Sequence, residues 1–146
     1  YFSLFLKSFN ISYEWYCIEN SNDWYKVTST WIKKEKLTNN VFCCLADPTN
    51  EKDKQKQESM EMTEYIHYPK TFNCKFDVII IDGRKRKECI LFARNILDKN
   101  GKIIVHDAER KEYYNPLSEY DGQIVCENNS PNSQGGIQKL WVGIIK

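Results

Sequence analysis

Glycine is missing from the first 82 residues of this 146-residue chain, because its six glycines all lie between Gly83 and Gly143. Phosphate loops of the Walker type and of the G-x-G-x-x-G type need glycine, both for turns with positive φ and for close approach of the backbone to phosphate. The N-terminal half therefore contains neither loop, and the later glycines do not have the required spacing. Any nucleotide-like ligand must be held by other means.

Excess charge and long apolar runs are missing too. Twenty-one Lys and Arg against twenty Asp and Glu give a net charge of +1, so bulk electrostatics favour neither nucleic acid nor an anionic membrane. No run approaches the roughly 18 apolar residues of a membrane span, and no basic and apolar leader opens the sequence. We expect a soluble, cytoplasmic protein with one domain over residues 1–146 and no membrane partner; homo-oligomerisation remains open.

Six cysteines would suit three disulfides in a small secreted domain. C-x-x-C pairs and histidines at zinc spacing are absent, however. Five of the six lie in strand-like or helix-like runs, namely Cys17, Cys43, Cys44, Cys89 and Cys126. We therefore expect reduced, mostly buried thiols that pack as small hydrophobic groups.

Apolar patterning predicts alternating helices and strands up to residue 106, followed by an antiparallel pair. Predicted helices cover residues 1–9, 23–35, 60–68 and 84–98, and predicted strands cover 13–18, 41–45, 76–81, 102–106, 123–127 and 137–145. The fold class is therefore α/β, with a mostly parallel sheet, helices on both faces and a C-terminal antiparallel hairpin.

Three local expectations refine this pattern. The second helix should bury Trp24, Val27 and Trp31, and the β-branched run 78–81 predicts a strand covered on both faces. The pair Asn100-Gly101 predicts the end of the fourth helix. Residues 48–59 contain no apolar side chain, which favours a surface loop; a lid ordered by ligand is the alternative.

Acidic residues end the predicted strands. Glu19 and Asp47 follow the first two, Asp82 follows the third, and the fourth ends in His106-Asp107. Ligands of open α/β sheets bind outside the carboxyl ends of the strands. A single Asp in such a position is more often a turn former or a helix cap, so the conjunction is what indicates a site.

These residues resemble a known family. The segments Phe-Asp-Val-Ile-Ile-Ile-Asp-Gly-Arg (76–84) and Asn-Gly-Lys-Ile-Ile-Val-His-Asp-Ala-Glu-Arg (100–110), with Cys89, Ala93 and Tyr113, resemble the second half of a class I S-adenosylmethionine-dependent methyltransferase. Residues 15–19 and 139–143 are similar to the second and last strands of that family.

The resemblance implies a Rossmann-like sheet of order 3-2-1-4-5-7-6, in which the predicted strands fill positions 2 to 7. Strand one, with its glycine-rich loop, is not found in this sequence. We expect the chain to be an N-terminally truncated piece of a longer product, or preceding residues to be missing from the record; a rearranged sheet is the alternative.

The resemblance also implies how S-adenosylmethionine would be held. Glu19 would accept hydrogen bonds from the ribose hydroxyls, and Ala46 with Asp47 would flank the adenine. Asp82, followed by Gly83, would lie under the sulfonium, beside the acceptor.

For the chemistry, the resemblance implies in-line positioning of the methyl group and a base for the acceptor proton. His106 or Asp107 would act with Asp82 for that purpose. In metal-dependent relatives of this family, corresponding acids hold Mg²⁺. Mg²⁺ is not favoured here, because no third acidic or Asn ligand directly follows Asp107.

A cationic run, residues 84–87, follows Asp82. A solvated first helical turn is the favoured interpretation, although cations oppose the macrodipole at a helix N-terminus. Alternatively, Arg84 or Arg86 binds an anionic acceptor together with Arg110 and Tyr113. Nucleic acid is a weaker candidate because four clustered cations give a small counterion-release effect.

Two functions follow from the resemblance. The first is methyl transfer to a small-molecule or anionic, glycan-type acceptor, and the alternative is a non-catalytic methyltransferase-like module kept for interaction. A flavodoxin-like receiver domain with Asp82 as phosphoacceptor is disfavoured, because no acidic pair precedes Asp82 at a first strand end and His106 stands where a Lys is needed.

Overall fold

The computed structural model describes residues 2–49, 51, 53–131 and 137–146. The chain divides into two units, Tyr1–Tyr68 and Pro69–Lys146. Among the described residues, no helix is long and apolar enough to cross a membrane.

Among its described residues, the first unit contains a two-stranded parallel sheet and four helices. Its elements are α1 (Phe2–Ser8), β1 (Trp15–Ser21), α2 (Asn22–Lys34), β2 (Val41–Thr49), α3 (Lys54–Ser59) and α4 (Thr63–His67). The Ser21 hydroxyl caps α2 by accepting the amide of Trp24 at 3.3 Å. The core of this unit is built on Ile32, Leu37 and Val41.

The buried face of α2 differs from the expectation. Trp24 and Val27 are 64% and 58% exposed, whereas Trp31 is half-buried and Ile32 is buried. The prediction that Trp24 and Val27 are buried is therefore wrong. Ile32 shares the small core with Val41 of β2, and partly buried Trp31 packs against it, so this contact decides which stripe of the helix faces the sheet.

The segment 48–59 is not a loop throughout. Its last six residues form α3, which begins because the Asp53 carboxylate accepts the amides of Gln55 at 2.8 Å and Lys56 at 3.3 Å. Residues 50 and 52 lie outside the described residues. The helix has no apolar stripe, so the sequence pattern gave no signal for it.

The second unit contains a four-stranded sheet of order β3-β4-β6-β5. Strand β4 is parallel to β3 and antiparallel to β6, which pairs with β5 in the predicted hairpin. The elements are β3 (Phe76–Ile81), α5 (Arg86–Ala93), β4 (Leu97–His106), α6 (Tyr114–Leu117), β5 (Tyr120–Pro131) and β6 (Ile137–Ile145), with short 3-10 helices at Tyr68–Phe72 and Lys111–Tyr113.

The strand orders agree with the expected sheet. The orders β2-β1 and β3-β4-β6-β5 correspond to positions 3-2 and 4-5-7-6 of the expected sheet. None of the described strands takes its first position. The expected parallel pairs and the antiparallel hairpin are therefore present in the described residues.

The predicted end of the helix after β3 is wrong. Helix α5 ends at Ala93, and the pair Asn100-Gly101 lies inside β4. The strand bulges there, since Phe76 pairs with Leu97 while Val78 pairs with Lys102. A Cβ on Gly101 would lie 2.7 Å from the Phe76 carbonyl oxygen, so this glycine permits close approach of two strands.

Strand β3 is covered on one face only. Ile79 and Ile81 pack with the core of the second unit. Val78 and Ile80, on the opposite face, are 39% and 45% exposed. The prediction that β3 is covered on both faces is wrong in this structure. A run of β-branched residues indicates a high strand propensity, but it does not indicate whether other elements pack on each face of the strand.

Candidate functional site

The carboxyl ends of β3 and β4 bring together two of the predicted site residues. Ile81 pairs with Val105 in the parallel ladder, which places the next residues, Asp82 and His106, side by side. The His106 Nδ1 atom lies 3.1 Å from Asp82 Oδ1. The Asp82 side chain is 61% exposed and that of His106 is 37% exposed, so both are accessible from solvent.

Asp107 is the buried anchor of this site. Its side chain is 9% exposed, and its Oδ2 atom accepts hydrogen bonds from Arg86 Nη1 at 3.0 Å and Arg110 Nη2 at 2.6 Å. Its backbone has a φ of 55°, a left-handed conformation that Asp tolerates better than most residues. The turn after β4 therefore points this carboxylate at two guanidinium groups.

Arg86 ties the two strand ends together. Its side chain is only 10% exposed. Nε donates to the Gly83 carbonyl at 3.0 Å, Nη2 donates to the Asp82 carbonyl at 3.0 Å, and Nη1 donates to the His106 carbonyl at 2.7 Å. Nη2 also lies 3.1 Å from Asp82 Oδ1. With its bond to Asp107, the guanidinium is saturated by acceptors of this chain.

The imidazole of His106 lies close to two carboxylates, but its Nδ1 atom forms no hydrogen bond with the described residues. Its buried Nδ1 atom lies near Asp82 Oδ1 and 3.2 Å from Asp107 Oδ1. Neither contact has hydrogen-bond alignment, and Asp107 Oδ1 also has no hydrogen-bond partner among the described residues.

Arg110 and Tyr113 complete the cluster from the segment after β4. Arg110 Nη1 lies 3.5 Å from the Tyr113 hydroxyl, and its guanidinium carbon lies 6.0 Å from the centre of the Tyr113 ring. Burial lowers the pKa of Arg110, but Tyr113 and Asp107 raise it more, so the pKa stays above its ordinary value. Tyr113 is 5% exposed and belongs to the core.

The donor set does not suit Mg²⁺. The Asp82 and Asp107 carboxylates face two guanidinium groups, which lie where a second cation would have to bind. Among the described residues, no three His, Cys, Asp or Glu side chains form a group that could hold a metal ion.

The other predicted cofactor residues lie in the first unit. Glu19 is half-buried in β1, and this burial raises the pKa of its carboxyl. Ala46 is fully buried in β2. Asp47, with a φ of 45°, uses Oδ2 to accept the amide of Tyr65 at 2.8 Å in the first turn of α4. Its carboxylate is therefore a helix cap.

The remaining predicted residues are more exposed. Gly83 is exposed, and Arg84 is half-buried in the turn after β3. All six cysteines are free thiols: Cys74 and Cys126 are exposed and the other four are half-buried. Burial raises the pKa of Cys43 to about 12, as expected for an unreactive thiol.

A cavity of 340 Å³ lies in the second unit, next to the strand ends. Sequence reasoning missed it, because its lining comes from both the segment after β4 and the paired β5 and β6. The lining includes Ala108, Glu109, Tyr114, Leu117, Lys139 and Trp141. The one sequence feature that could have indicated this cavity is the position of Ala108 and Glu109 directly after His106-Asp107.

Solved structures show the same fold. The chain is similar to precorrin 8w decarboxylase of Methanobacterium thermoautotrophicum, with a TM-score of 0.60 and 15% identity over 97% of this chain and 75% of that chain. It is also similar to precorrin-6y C5,15-methyltransferase of Geobacter metallireducens, with a TM-score of 0.62 and 13% identity over 91% and 68%. A putative rRNA methylase of Clostridium thermocellum gives a TM-score of 0.53 and 11% identity over 91% and 73%.

These likenesses establish the class I methyltransferase fold, which confirms the predicted fold class. The sequence matches no model of a known protein family, and no curated protein is significantly similar to it. At these low identities the comparison supports the fold and leaves the chemistry to be argued from the site.

Proposed function

We propose that the chain is a methyltransferase that uses S-adenosylmethionine, with its chemistry at the carboxyl ends of β3 and β4. The observation that carries this proposal is the cluster of Asp82, His106 and Asp107 at two adjacent parallel strand ends. Active sites of open α/β sheets lie at this edge, and the fold is that of methyltransferases.

The cofactor, when bound, supplies a methyl group carried by a positively charged sulfur. Asp82 fits that charge, because its carboxylate is exposed on the solvent side of the cluster. Asp107 does not, since its carboxylate is buried against Arg86 and Arg110. Of the two acids, Asp82 is therefore the residue that faces the cofactor.

His106 is the base that takes the acceptor proton. Its ring is partly exposed, and Nδ1 lies between the carboxylates of Asp82 and Asp107, which stabilise an imidazolium. We propose that Asp107 orients the ring through its Oδ1 atom, which lies 3.2 Å from Nδ1 and accepts no other hydrogen bond from the described residues. Arg86 and Tyr113 act as positioning residues, because both are buried.

The proposed acceptor is a small molecule or an anionic, glycan-type group. Arg86 and Arg110 are paired with Asp107. Arg84, which lies between β3 and α5, is the cation proposed to bind an anionic group. Glu19 remains the proposed acceptor for ribose hydroxyls, with Ala46 and Asp47 beside adenine. We also propose that the protein is cytoplasmic.

Calorimetric titration of the full-length product with S-adenosylmethionine tests the proposal. We expect saturable binding that is weakened by Glu19→Ala and by Asp82→Ala. Asp77→Ala is the matched control, because Asp77 is an exposed acid at the other end of β3. No binding by the unaltered chain, or equal loss in all three variants, would sink the enzyme assignment.

A titration with MgCl₂ tests the metal question separately. We expect no saturable binding, since guanidinium groups occupy the carboxylates. Millimolar or tighter binding that is lost in Asp82→Asn would show that a metal displaces Arg86.

The alternative is a non-catalytic module that keeps the fold for interaction. The observation that favours this alternative is that the Asp82 carboxylate already lies 3.1 Å from the Arg86 guanidinium, which would compete with a positively charged sulfur. A folded chain that binds no S-adenosylmethionine would support it.

A further inference from the structure

Helix α2 of the first unit carries an apolar stripe outside the core of that unit. Trp24 and Val27 are 64% and 58% exposed, and half-buried Trp31 continues their line along the helix. Ile32, the residue of α2 that is buried in the core, lies about 100° further round the helix than Trp31. Large apolar side chains grouped on one exposed helix face are typical of interaction surfaces.

Charges of opposite sign flank the two ends of this stripe. Asp23 lies in the first turn of α2 and Lys34 in its last turn, and both are exposed. The pitch of an α-helix places the two residues on the same flank of the stripe, about 16 Å apart along the axis, which is too far for a salt bridge within one helix. The other charged residues of α2, Lys26 and Lys33, lie more than about 100° from the middle of the stripe.

The stripe and its two charges are complementary to themselves. In an antiparallel pair of α2 helices related by a twofold axis, each flank of one helix meets the same flank of the other. Asp23 then lies opposite the partner's Lys34, and Trp24 lies beside the partner's Trp31. Both pairs have their midpoint within one residue of Thr28, so a single axis serves the charges and the apolar stripe. The opposed helix dipoles favour the same arrangement.

Other occupants match this surface less well. An anionic membrane would attract Lys34 but repel Asp23, which directly precedes Trp24. An unrelated protein would have to supply both charges of its own at the right distance. A second copy of this chain brings an acid, a base and an apolar stripe with the spacing that α2 requires.

We infer that α2 is the interface of a homodimer, in which two α2 helices pack antiparallel about a twofold axis. Trp24 is the central apolar contact, and Asp23 forms a salt bridge with the partner's Lys34. A single helix of 13 residues offers a small surface, so the dimer belongs to the low end of interface sizes and dissociates on dilution. The inference concerns the first unit and is independent of the proposed methyl transfer.

Sedimentation-velocity centrifugation of the full-length product, from micromolar to millimolar concentration, tests the interface. We expect the sedimentation coefficient to rise with concentration toward that of a dimer. Trp24→Ala should weaken dimerisation at least about tenfold, because a central Trp carries much of the binding energy of such a contact. Phe9→Ala is the matched control, because Phe9 is also aromatic and 64% exposed but lies after α1.

A charge swap tests the pairing of Asp23 with the partner's Lys34. Asp23→Lys brings two ammonium groups together, and Lys34→Asp brings two carboxylates together, so each variant should dimerise at least about fivefold more weakly. The double variant exchanges the charges and should recover most of this loss. Asp23→Lys combined with Lys26→Asp is the control, because it has the same net charge and Lys26 lies away from the stripe. Circular dichroism checks that each variant is folded.

A full-length product that stays monomeric up to millimolar concentration would overturn the inference, as would equal weakening by Trp24→Ala and Phe9→Ala. Dimerisation that the double charge swap does not recover, or that the control with Lys26→Asp recovers equally, would overturn the antiparallel arrangement. A monomer that sediments with vesicles of phosphatidylcholine and phosphatidylserine, and loses this binding in Trp24→Ala, would assign the stripe to a membrane instead.

Discussion

Two aspartates near the carboxyl ends of strands, one in each unit, have similar backbones and different surroundings: Asp47 lies two residues before the end of β2, and Asp107 directly follows β4. Asp47 and Asp107 have φ values of 45° and 55°. The carboxylate of Asp47 accepts one backbone amide, that of Tyr65. The carboxylate of Asp107 lies against two arginines and an imidazole.

The difference shows that an acid at a strand end is not by itself a site. Local chain geometry explains both positions, since Asp tolerates the left-handed conformation that a sharp turn needs. What distinguishes Asp107 is the set of charges brought to it by Arg86 of α5 and Arg110 of the following segment. A functional assignment therefore rests on the neighbours.

The largest expected effect separates these two aspartates directly. Asp107→Asn removes the carboxylate shared by two partly buried guanidinium groups, leaving Arg86 only the exposed carboxylate of Asp82, and should cost about 3 kcal/mol of stability in the second unit. Asp47→Asn keeps an oxygen that can cap α4 and should cost less than about 0.5 kcal/mol in the first unit. Native-state hydrogen exchange of β4 and β2 peptides measures both.

Asn tolerates the same positive φ, so neither variant changes backbone strain. Equal losses of stability in the two variants would contradict the distinction between Asp47 as a helix cap and Asp107 as the partner of two arginines.

A smaller effect tests whether the shape of Arg86 matters beyond its charge. Arg86→Lys keeps the charge, but a lysine ammonium group cannot contact the three carbonyls and two carboxylates that the guanidinium contacts. We therefore expect the second unit to lose about 1–3 kcal/mol of its free energy of unfolding. Arg94→Lys is the control, because Arg94 forms an exposed pair with Glu119 and such pairs contribute at most about 1 kcal/mol. Urea unfolding followed by exchange at β4 reports the difference, and equal effects would contradict the role of Arg86.

The smallest effect concerns Glu19 of the first unit. Burial raises the pKa of Glu19 in the folded state above its unfolded value, so stability is lost as the pH rises through that window. Glu19→Gln should therefore raise the melting temperature slightly at about pH 7 and leave it unchanged at about pH 3, where both states are protonated. A lower melting temperature of Glu19→Gln than of the unaltered chain at neutral pH would contradict this prediction.

The sequence predicted most of the strand pattern and the gathering of Asp82 with His106, because parallel pairing aligns the carboxyl ends of neighbouring strands. The bounds predicted for the last strand, 137–145, agree with those of β6. The sequence did not predict that the Arg86 guanidinium is buried, because a run of cationic residues indicates charge but not which side chain points inward.

The start of β4 and the exposure of Trp24 were also missed. Both depend on tertiary packing: a bulge opposite Phe76 in the first case and the small Ile32 core in the second. The segment order could be read from periodicity, but these contacts could not.

The central claim is that Asp82 is the acid that faces a positively charged cofactor while Asp107 is locked by arginines. Titration calorimetry with S-adenosylmethionine and S-adenosylhomocysteine tests it, because the second compound has a neutral sulfur. Asp82→Asn should weaken binding of the charged form at least about fivefold more than binding of the neutral form, whereas Asp77→Asn should change neither. Equal weakening of both compounds by Asp82→Asn, or no weakening of either, would contradict the account.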